Sequence, residues 1–284
     1  MKRVLLGLLA LVGIAAVLLV GGYFALKRPD ISYETLAASY ENSASRYVDL
    51  PSGVRMHYRD QGQGPTLLLI HGFTASLHTW EPWVERLATG EQRISDYRLV
   101  SIDLPGHGLT RAPADFQANV ENLRDVVAEF VAAQNLQRFA VAGSSMGGNV
   151  AWEYALAHPD QVEALILVDA SGWPNEDTEA SRESTMVQLL RNPTLRPWLL
   201  NLDRSALYRQ GLQASFANPA LVTDAMLNRY VELSRAPGHR EILTQLYVGY
   251  GERNVATSER LAALRMPVLI LTGDTDRLVP PEHA

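Results

Sequence analysis

One serine in this sequence lies in a pattern that can carry out nucleophilic catalysis. Residues 143–147 read Gly-Ser-Ser-Met-Gly, which fits Gly-x-Ser-x-Gly with Ser145 at its centre. In that pattern a tight turn between a strand and a helix exposes the serine hydroxyl, which can then attack an acyl carbon. An apolar stretch at 139–141 suits the incoming strand, and 149–158 has the spacing of a helix. We therefore predict that Ser145 is a nucleophile rather than part of a non-catalytic Gly/Ser-rich turn.

Two backbone amides are candidates for an oxyanion hole. Attack on an acyl carbon creates a tetrahedral oxyanion, which needs N–H donors pointing at it. Met146, the residue after the nucleophile, can supply one. Gly72 permits a turn that directs the amide of Phe73 inward. We predict an oxyanion hole formed by Phe73 and Met146, with a structural role for His71.

A serine nucleophile needs a base, and the base needs a carboxylate to orient it. Asp276 and Asp274 follow an apolar run at 268–271, and Asp169 ends an earlier one. The carboxyl ends of parallel strands meet at one edge of a sheet, so all three could reach the serine. Asp276 is the favoured candidate, and Asp274 and Asp169 are the alternatives.

Short apolar runs alternate with helical stretches along most of the chain. Runs of this kind suit strands buried on both faces, and the helices predicted at 121–134 and 149–158 suit crossover connections. A hairpin is predicted where 46–50 and 54–59 flank Pro-Ser-Gly. The fold class is α/β with a mostly parallel sheet. The predicted buried strands are 65–71, 98–104, 138–143, 163–169 and 267–272.

The alternation of strands and helices stops between the fourth and fifth buried strands, where only helix-like pieces occur. This predicts a helical cap over the carboxyl edge of the sheet. Most of the apolar residues in the cap should pack, and one or two should contact an acyl chain. They are Trp173, Leu189, Leu190, Trp198, Leu199, Leu200, Leu207 and Tyr208. The predicted divisions are an anchor at 1–27, a linker at 28–45, a core at 46–172, the cap at 173–263 and the rest of the core at 264–284.

Composition excludes several classes of function. A net charge of −6 without any Lys/Arg run argues against a nucleic-acid partner. The absence of cysteine excludes a thiol nucleophile, thiolate metal sites and disulfides. Because the chain has no HExxH motif, phosphate-binding Gly-rich loop or metal-spaced histidine cluster, we expect no cofactor and no metal.

The N-terminal segment has the pattern of a membrane anchor. No charged residue occurs from Val4 to Leu26, and about 23 helical residues would extend roughly 34 Å, enough to cross a bilayer core. A cleaved signal peptide and a buried soluble helix are the alternatives. The slight excess of positive charge before the segment favours an N-terminus in the cytoplasm.

Four sequence blocks together resemble the serine-nucleophile branch of the α/β-hydrolase superfamily. They are His-Gly-Phe-Thr at 71–74, Asp-Leu-Pro-Gly-His-Gly at 103–108, Gly-Ser-Ser-Met-Gly-Gly at 143–148 and Gly-Asp-Thr-Asp-Arg-Leu-Val-Pro at 273–280. The resemblance implies an acid at Asp276. Because it also has the N-terminal segment, the sequence is similar to membrane-tethered bacterial esterases and lipases. That implies a single-pass protein of the bacterial inner membrane with its catalytic domain in the periplasm.

The resemblance also implies a catalytic histidine after the acid, in a Gly-His block that this sequence lacks. Only His283 follows Asp276, and His239 lies in the predicted cap, so neither is favoured as the base. We read His57, His78 and His158 as surface or packing residues. We expect a C-terminal strand and helix to be missing, which would leave the 284 residues inactive as written and prone to aggregate.

These patterns predict a serine hydrolase that cleaves carboxylic esters of small or lipid-like substrates through an acyl-enzyme. One alternative is a serine hydrolase that breaks C–C bonds in ring-cleavage products. The other is a non-catalytic, membrane-tethered binding module. The Gly-x-Ser-x-Gly block favours the two enzymes over the module.

Overall fold

A seven-stranded sheet forms the centre of the protein in the computed structural model, which describes residues 2–89, 96–174, 184–249 and 255–283. The strand order within this described part is β1-β2-β4-β3-β5-β6-β7. The strands are β1 (Ser45–Asp49), β2 (Arg55–Gly62), β3 (Thr66–Ile70), β4 (Arg98–Ile102), β5 (Phe139–Ser144), β6 (Val162–Val168) and β7 (Val268–Leu271).

Five of these strands run parallel to one another. Strands β1 and β2 form the predicted antiparallel hairpin, and β2 also pairs antiparallel with β4. Strands β4, β3, β5, β6 and β7 then pair in parallel. The predicted α/β class is confirmed. Because the carboxyl ends of the parallel strands share one edge, the turns that follow β3, β5, β6 and β7 lie at that edge.

Helices cover the sheet because its central strands are apolar on both faces. Helix α4 has an amphipathic sequence and buries Val127 and Phe130 completely. Its first turn is capped by Asn119, whose side chain accepts a hydrogen bond from Asn122 N. Helix α5 is buried along nearly its whole length. The helices before β6 are α1 (Lys2–Leu26), α2 (Tyr33–Tyr40), α3 (Glu81–Thr89), α4 (Val120–Ala133) and α5 (Met146–Ala157).

Between β6 and β7 the described residues form helices and no named strand, as the sequence predicts for a cap. These helices are α6 (Thr185–Arg191), α7 (Arg196–Leu200), α8 (Ser205–Ala214), α9 (Asp224–Leu233), α10 (His239–Gly249) and α11 (Ser258–Leu261), with a 3₁₀ turn at Pro219–Leu221. Two further 3₁₀ turns lie at Leu77–Trp80 and Pro281–His283.

The segment before the sheet is docked on the rest of the molecule. Helix α2 is capped by Ser32 and buries Leu36, which is 1% exposed and packs against Leu109 and Leu233. The predicted transmembrane helix is not supported, because no helix in the described ranges combines the length and the apolarity needed to cross a membrane.

Strand β7 is the least covered strand of the sheet. It lies last in the strand order, and its residues from Val268 to Leu271 are 38–52% exposed. The turn that carries Asp276 follows this strand directly.

Candidate active site

Ser145 lies in a sharp turn between β5 and α5, with backbone angles φ 52° and ψ −121°. A non-glycine residue in such a conformation costs on the order of 1–3 kcal/mol and persists only when its surroundings hold it. Hydrogen bonds from both sides do so. Ser145 N donates to Val168 O over 3.0 Å, and Ser145 O accepts from Gly148 N over 2.9 Å and from Ser171 N over 3.1 Å. The ends of β5 and β6 therefore fix the position of the serine.

The glycines of the pentapeptide are required by close backbone contacts. A β-carbon on Gly147 would lie 2.3 Å from the carbonyl oxygens of Ile70 and His71. A β-carbon on Gly143 would lie 2.2 Å from Gly147 O. No side chain tolerates such distances, so the Gly-x-Ser-x-Gly spacing follows from the packing of α5 against the end of β3.

The loop after β3 lies directly against the serine. A β-carbon on Gly72 would be 3.1 Å from Ser145 Cβ and 3.8 Å from Ser145 Oγ. The next amide, Phe73 N, donates no hydrogen bond to any described residue. Met146 begins α5, where backbone N–H groups have no acceptor within the helix. Both predicted oxyanion donors thus lie beside Ser145 with N–H groups open to a ligand, and their role stays a prediction.

The three candidate acids lie in the turns after β6 and β7. Asp276 Oδ1 accepts hydrogen bonds from Leu278 N over 2.7 Å and from Val279 N over 3.0 Å, which orient its carboxylate. Asp169 has φ 43° and accepts from Gly273 N over 2.8 Å, so it supports the same turn. Asp274 is exposed. This geometry suits Asp276 as the orienting acid and Asp169 as a support for its turn.

Comparison with known proteins identifies the family. The family described as the alpha/beta hydrolase fold matches residues 65–284. The chain belongs to the α/β-hydrolase family. Its Gly-x-Ser-x-Gly turn lies between a strand and a helix, as the pattern requires.

Relatives of this α/β-hydrolase have several activities. The dihydrolipoyllysine-residue acetyltransferase component of the acetoin cleaving system of Cupriavidus necator is 30% identical over 89% of this chain, which spans only 64% of that relative. The 2-hydroxy-6-oxononadienedioate/2-hydroxy-6-oxononatrienedioate hydrolase of Paraburkholderia phymatum is 28% identical over 84% of this chain and 82% of its own length. The family and its hydrolase members therefore support a hydrolase.

A solved structure is similar over almost the whole α/β-hydrolase chain. It is a membrane phospholipase A described as a bacterial virulence factor, with a TM-score of 0.65 and 29% identity. The likeness covers 99% of this chain and 85% of that one.

His71 fixes the start of the hydrolase's oxyanion loop. It is fully buried, its Nδ1 donates to Gly72 O over 2.8 Å, and its Nε2 accepts from Leu104 N over 3.0 Å. Burial lowers the pKa of His71, although Asp103 opposes the shift. A neutral ring matches this pattern of one donor and one acceptor.

His107 fixes the other end of the loop, a role that sequence reasoning missed. Its Nε2 accepts from Thr74 N over 3.1 Å, and its Nδ1 donates to Pro105 O over 3.0 Å. Thr74 itself has φ 59°. Burial lowers the pKa of His107 well below its usual range, and the nearby His71 adds to the shift. The neutral ring thus holds Thr74, the residue after Phe73, in its strained backbone conformation.

Asp103 is the buried centre of a second network that the sequence did not reveal. It accepts hydrogen bonds from Leu77 N over 2.8 Å, Leu109 N over 2.9 Å and His57 Nδ1 over 2.7 Å. Burial alone would raise the pKa of this carboxyl, but the hydrogen bond and charge of His57, with the backbone donors, hold it well below its usual range. The network joins β2, the loop after β4 and the 3₁₀ turn that follows the oxyanion loop.

The remaining histidines are engaged elsewhere. His239 contacts Leu233 O through Nδ1, and Thr110 O and Tyr33 OH through Nε2, so it joins α10 to the core. Both His57 and His78 are buried packing residues, 0% and 6% exposed. Among the described residues no group of three or more metal-ligating side chains could hold an ion.

A mainly apolar cavity of about 150 Å³ lies beside the loop after β6, which contacts the turn at Ser145, and none of Ser145, Met146 and Phe73 lines it. Trp152, Trp173 and Ile270 supply apolar lining, and Ser171, whose amide contacts Ser145 O, lies in its wall. Of the cap residues predicted to pack or to contact an acyl chain, Trp173 lines this cavity. The cavity is also lined by Asp169 and His283.

Other members of the predicted acyl-contact set lie elsewhere. Trp198 and Leu207 are 58% and 61% exposed, whereas Leu190 is buried in the cap. Most residues of the set therefore pack in the cap or face solvent, and they do not line the cavity.

Proposed function

We propose that this protein is a serine hydrolase that cleaves carboxylic esters through an acyl-enzyme. The strained turn at Ser145 carries the proposal, because a serine held at φ 52° between a strand and a helix has the backbone geometry that exposes its hydroxyl for nucleophilic attack. Ser145 Oγ attacks the acyl carbon, and the amides of Phe73 and Met146 stabilise the oxyanion. The base, which is not assigned among the histidines of this sequence, takes the proton of the serine hydroxyl and gives it to the leaving alcohol, and Asp276 orients it. The same base then takes a proton from the water that hydrolyses the acyl-enzyme, which releases the acid and restores Ser145.

We further propose that the ester is lipid-like. The cavity beside the loop after β6 is mainly apolar, which suits an acyl chain. The similarity to a membrane phospholipase A over 99% of this chain also supports a lipid substrate.

We propose a location at the bacterial inner membrane, with the catalytic domain in the periplasm. Apolar side chains on α1 support contact with lipid, since Leu9, Leu19 and Phe24 are 61%, 75% and 66% exposed. Separating membrane and soluble fractions of a bacterium that makes the full-length protein tests this location. Recovery in the soluble fraction would contradict it.

Ester turnover tests the proposed reaction. The full-length protein should hydrolyse p-nitrophenyl esters and phospholipid acyl esters, and kcat/KM should rise with acyl length. Ser145→Ala should lower kcat by a factor of at least about 10³, because it removes the nucleophile. Ser144→Ala is the matched control and should retain activity. Equal turnover by the protein and its Ser145→Ala variant would leave the non-catalytic module as the better account.

Cleavage of C–C bonds in ring-cleavage products is the second candidate function. The hydrolase from Paraburkholderia phymatum supports it, being 28% identical over 84% of this chain. Turnover of a 2-hydroxy-6-oxo-dienoate, followed by loss of its visible absorbance, distinguishes the two reactions. A kcat/KM for the dienoate at least tenfold above that for every ester would favour this candidate.

A further inference from the structure

Four arginines converge on one small cleft at the junction of the N-terminal segment and the cap. Arg28 comes from the segment after α1, Arg204 precedes α8, Arg235 follows α9, and Arg240 lies in α10. All four line a cleft of about 40 Å³. A water needs roughly 10–15 Å³ by this measure, so the cleft has room for about three waters or for one small oxyanion.

Positive charge in the cleft exceeds negative charge. Asp203 is the one carboxylate among the described lining residues, and it pairs with Arg28 over 2.9 Å. Asp30 lies 3.8 Å from Arg240. Burial lowers the pKa of Arg240, and the positive charges of Arg235 and Arg204 lower it further against the opposing effect of Asp30. Like charges thus lie close together without full compensation.

Arg204 differs from the other three arginines of the cleft in the partners of its guanidinium. Arg235 and Arg240 donate to Pro29 O, and Arg28 pairs with Asp203, so these three side chains hold the N-terminal segment on the cap. The guanidinium of Arg204 forms no hydrogen bond or ion pair with any described residue. Burial also lowers its pKa. A half-buried cation without a partner is costly unless an anion is supplied from outside.

We propose that this arginine cleft binds a phosphate group, with Arg204 as its main ligand. Guanidinium groups match phosphate oxygens with paired N–H donors, and four of them suit an anion with several oxygens. The cleft lies at the C-terminal end of α1, where Asp203 N donates to Leu26 O over 2.8 Å. The phosphate could therefore come from a lipid headgroup beside the exposed apolar side chains of α1, or from a free phosphate in solution.

Binding measurements on the full chain test the cleft separately from ester hydrolysis. Inorganic phosphate, titrated calorimetrically at constant ionic strength, should bind saturably to the unaltered protein. Arg204→Gln should weaken it at least tenfold. Arg209→Gln is the matched control, because Arg209 lies in α8, the helix that Arg204 precedes, and pairs with Asp224 on the surface. It should bind phosphate like the unaltered protein.

Vesicles distinguish the two sources of phosphate. Co-sedimentation with phosphatidylcholine vesicles is compared with that of vesicles that also contain phosphatidic acid. An Arg204-dependent gain with phosphatidic acid, without binding of free phosphate, assigns the cleft to a headgroup, and the reverse assigns it to a soluble phosphate.

Two results would overturn the proposal. One is the absence of phosphate and phosphatidic acid binding by the unaltered protein, and the other is unchanged binding by a folded Arg204→Gln variant. If Arg204→Gln does not fold by circular dichroism, Arg204→Lys replaces it. That variant keeps the charge but loses the paired donors, and it should weaken phosphate binding severalfold; unchanged binding would count against the proposal.

Discussion

Among single residues, the turn at Ser145 depends on backbone positions that a strained φ or a close contact restricts. Ser145 is held at φ 52° because its N–H donates to the end of β6, and its C=O accepts from Gly148 in α5 and from Ser171 after β6. Gly143 and Gly147 are required because backbone oxygens lie where their β-carbons would be. These constraints depend on the order of residues in one short segment, and this is why the sequence alone could locate the tight turn between β5 and α5, whereas the role of Ser145 as nucleophile stays a prediction.

A methyl group at Gly147 should disrupt the protein. Its β-carbon would lie 2.3 Å from two backbone oxygens, so Gly147→Ala should destabilise folding by about 3 kcal/mol or more. Gly211→Ala is the matched control, since nothing lies within 4 Å of its β-carbon and it is inside helix α8. That change should be neutral or stabilising by up to about 1 kcal/mol. Urea unfolding of both variants measures the difference, and equal stabilities would contradict this account of the turn.

His107 should position the oxyanion loop without contacting substrate. His107→Phe removes the acceptor for Thr74 N, so kcat for ester hydrolysis should fall about 10- to 100-fold with little change in KM. His107→Gln keeps an acceptor and should recover part of kcat, while His158→Gln, outside the loop, should leave it unchanged. A rise in KM alone would indicate a substrate contact instead.

The site beyond the nucleophile turn could not be read from the sequence. Asp103 and His57 are separated by 46 residues and meet only because β2 pairs with β4. His107 reaches Thr74 because the loops after β3 and β4 share one sheet edge. Sequence patterns report local periodicity, whereas these contacts depend on strand order.

At the scale of elements, the strands were predictable and the N-terminal segment was not. The five parallel strands are nearly continuous apolar runs, a pattern that distinguishes them from their surroundings. The expectation of burial fails for β7, whose residues are 38–52% exposed at the end of the strand order. The segment at 28–45 is polar and was predicted as a linker, so the docking of α2 through the buried Leu36 was not foreseen. A helix of eight residues with one large aliphatic side chain is too short to show a clear periodic signal.

Docking of α2 should contribute to the stability of the whole fold. Leu36→Ala removes a side chain that is 1% exposed and packed on the core and the cap, so it should cost about 2–4 kcal/mol of unfolding free energy. Ser39→Ala, on the exposed face of the same helix, should change stability by less than about 0.5 kcal/mol. Denaturant unfolding compares the two variants. A cost for Leu36→Ala as small as that for Ser39→Ala would show that α2 is not firmly attached.

At the scale of the whole molecule, buried histidines should make stability depend on pH. Burial lowers the pKa of His71 and His107, and it lowers that of His78 to about 4 against the opposing charges of Asp103 and Glu81. The unfolded chain binds protons to these rings near pH 6.5, whereas the folded protein does not. The contribution of the neutral rings to the free energy of unfolding is therefore fully present above about pH 6.5.

As the pH falls from 6.5 towards 4, this stability should be lost, and His78 alone should account for a few kcal/mol, to order of magnitude. His78→Gln should reduce the slope of unfolding free energy against pH by the equivalent of about one proton. Urea midpoints measured in steps across that range test the prediction. A flat profile would contradict it.

Covalent labelling of the full-length protein by a fluorophosphonate, with the adduct mapped by mass spectrometry, tests whether Ser145 is the nucleophile. We expect a single adduct on Ser145 that is absent from Ser145→Ala and present in Ser144→Ala. An adduct on any other residue, or equal labelling of the Ser145→Ala variant, would show that the hydroxyl held between β5 and α5 is not the nucleophile.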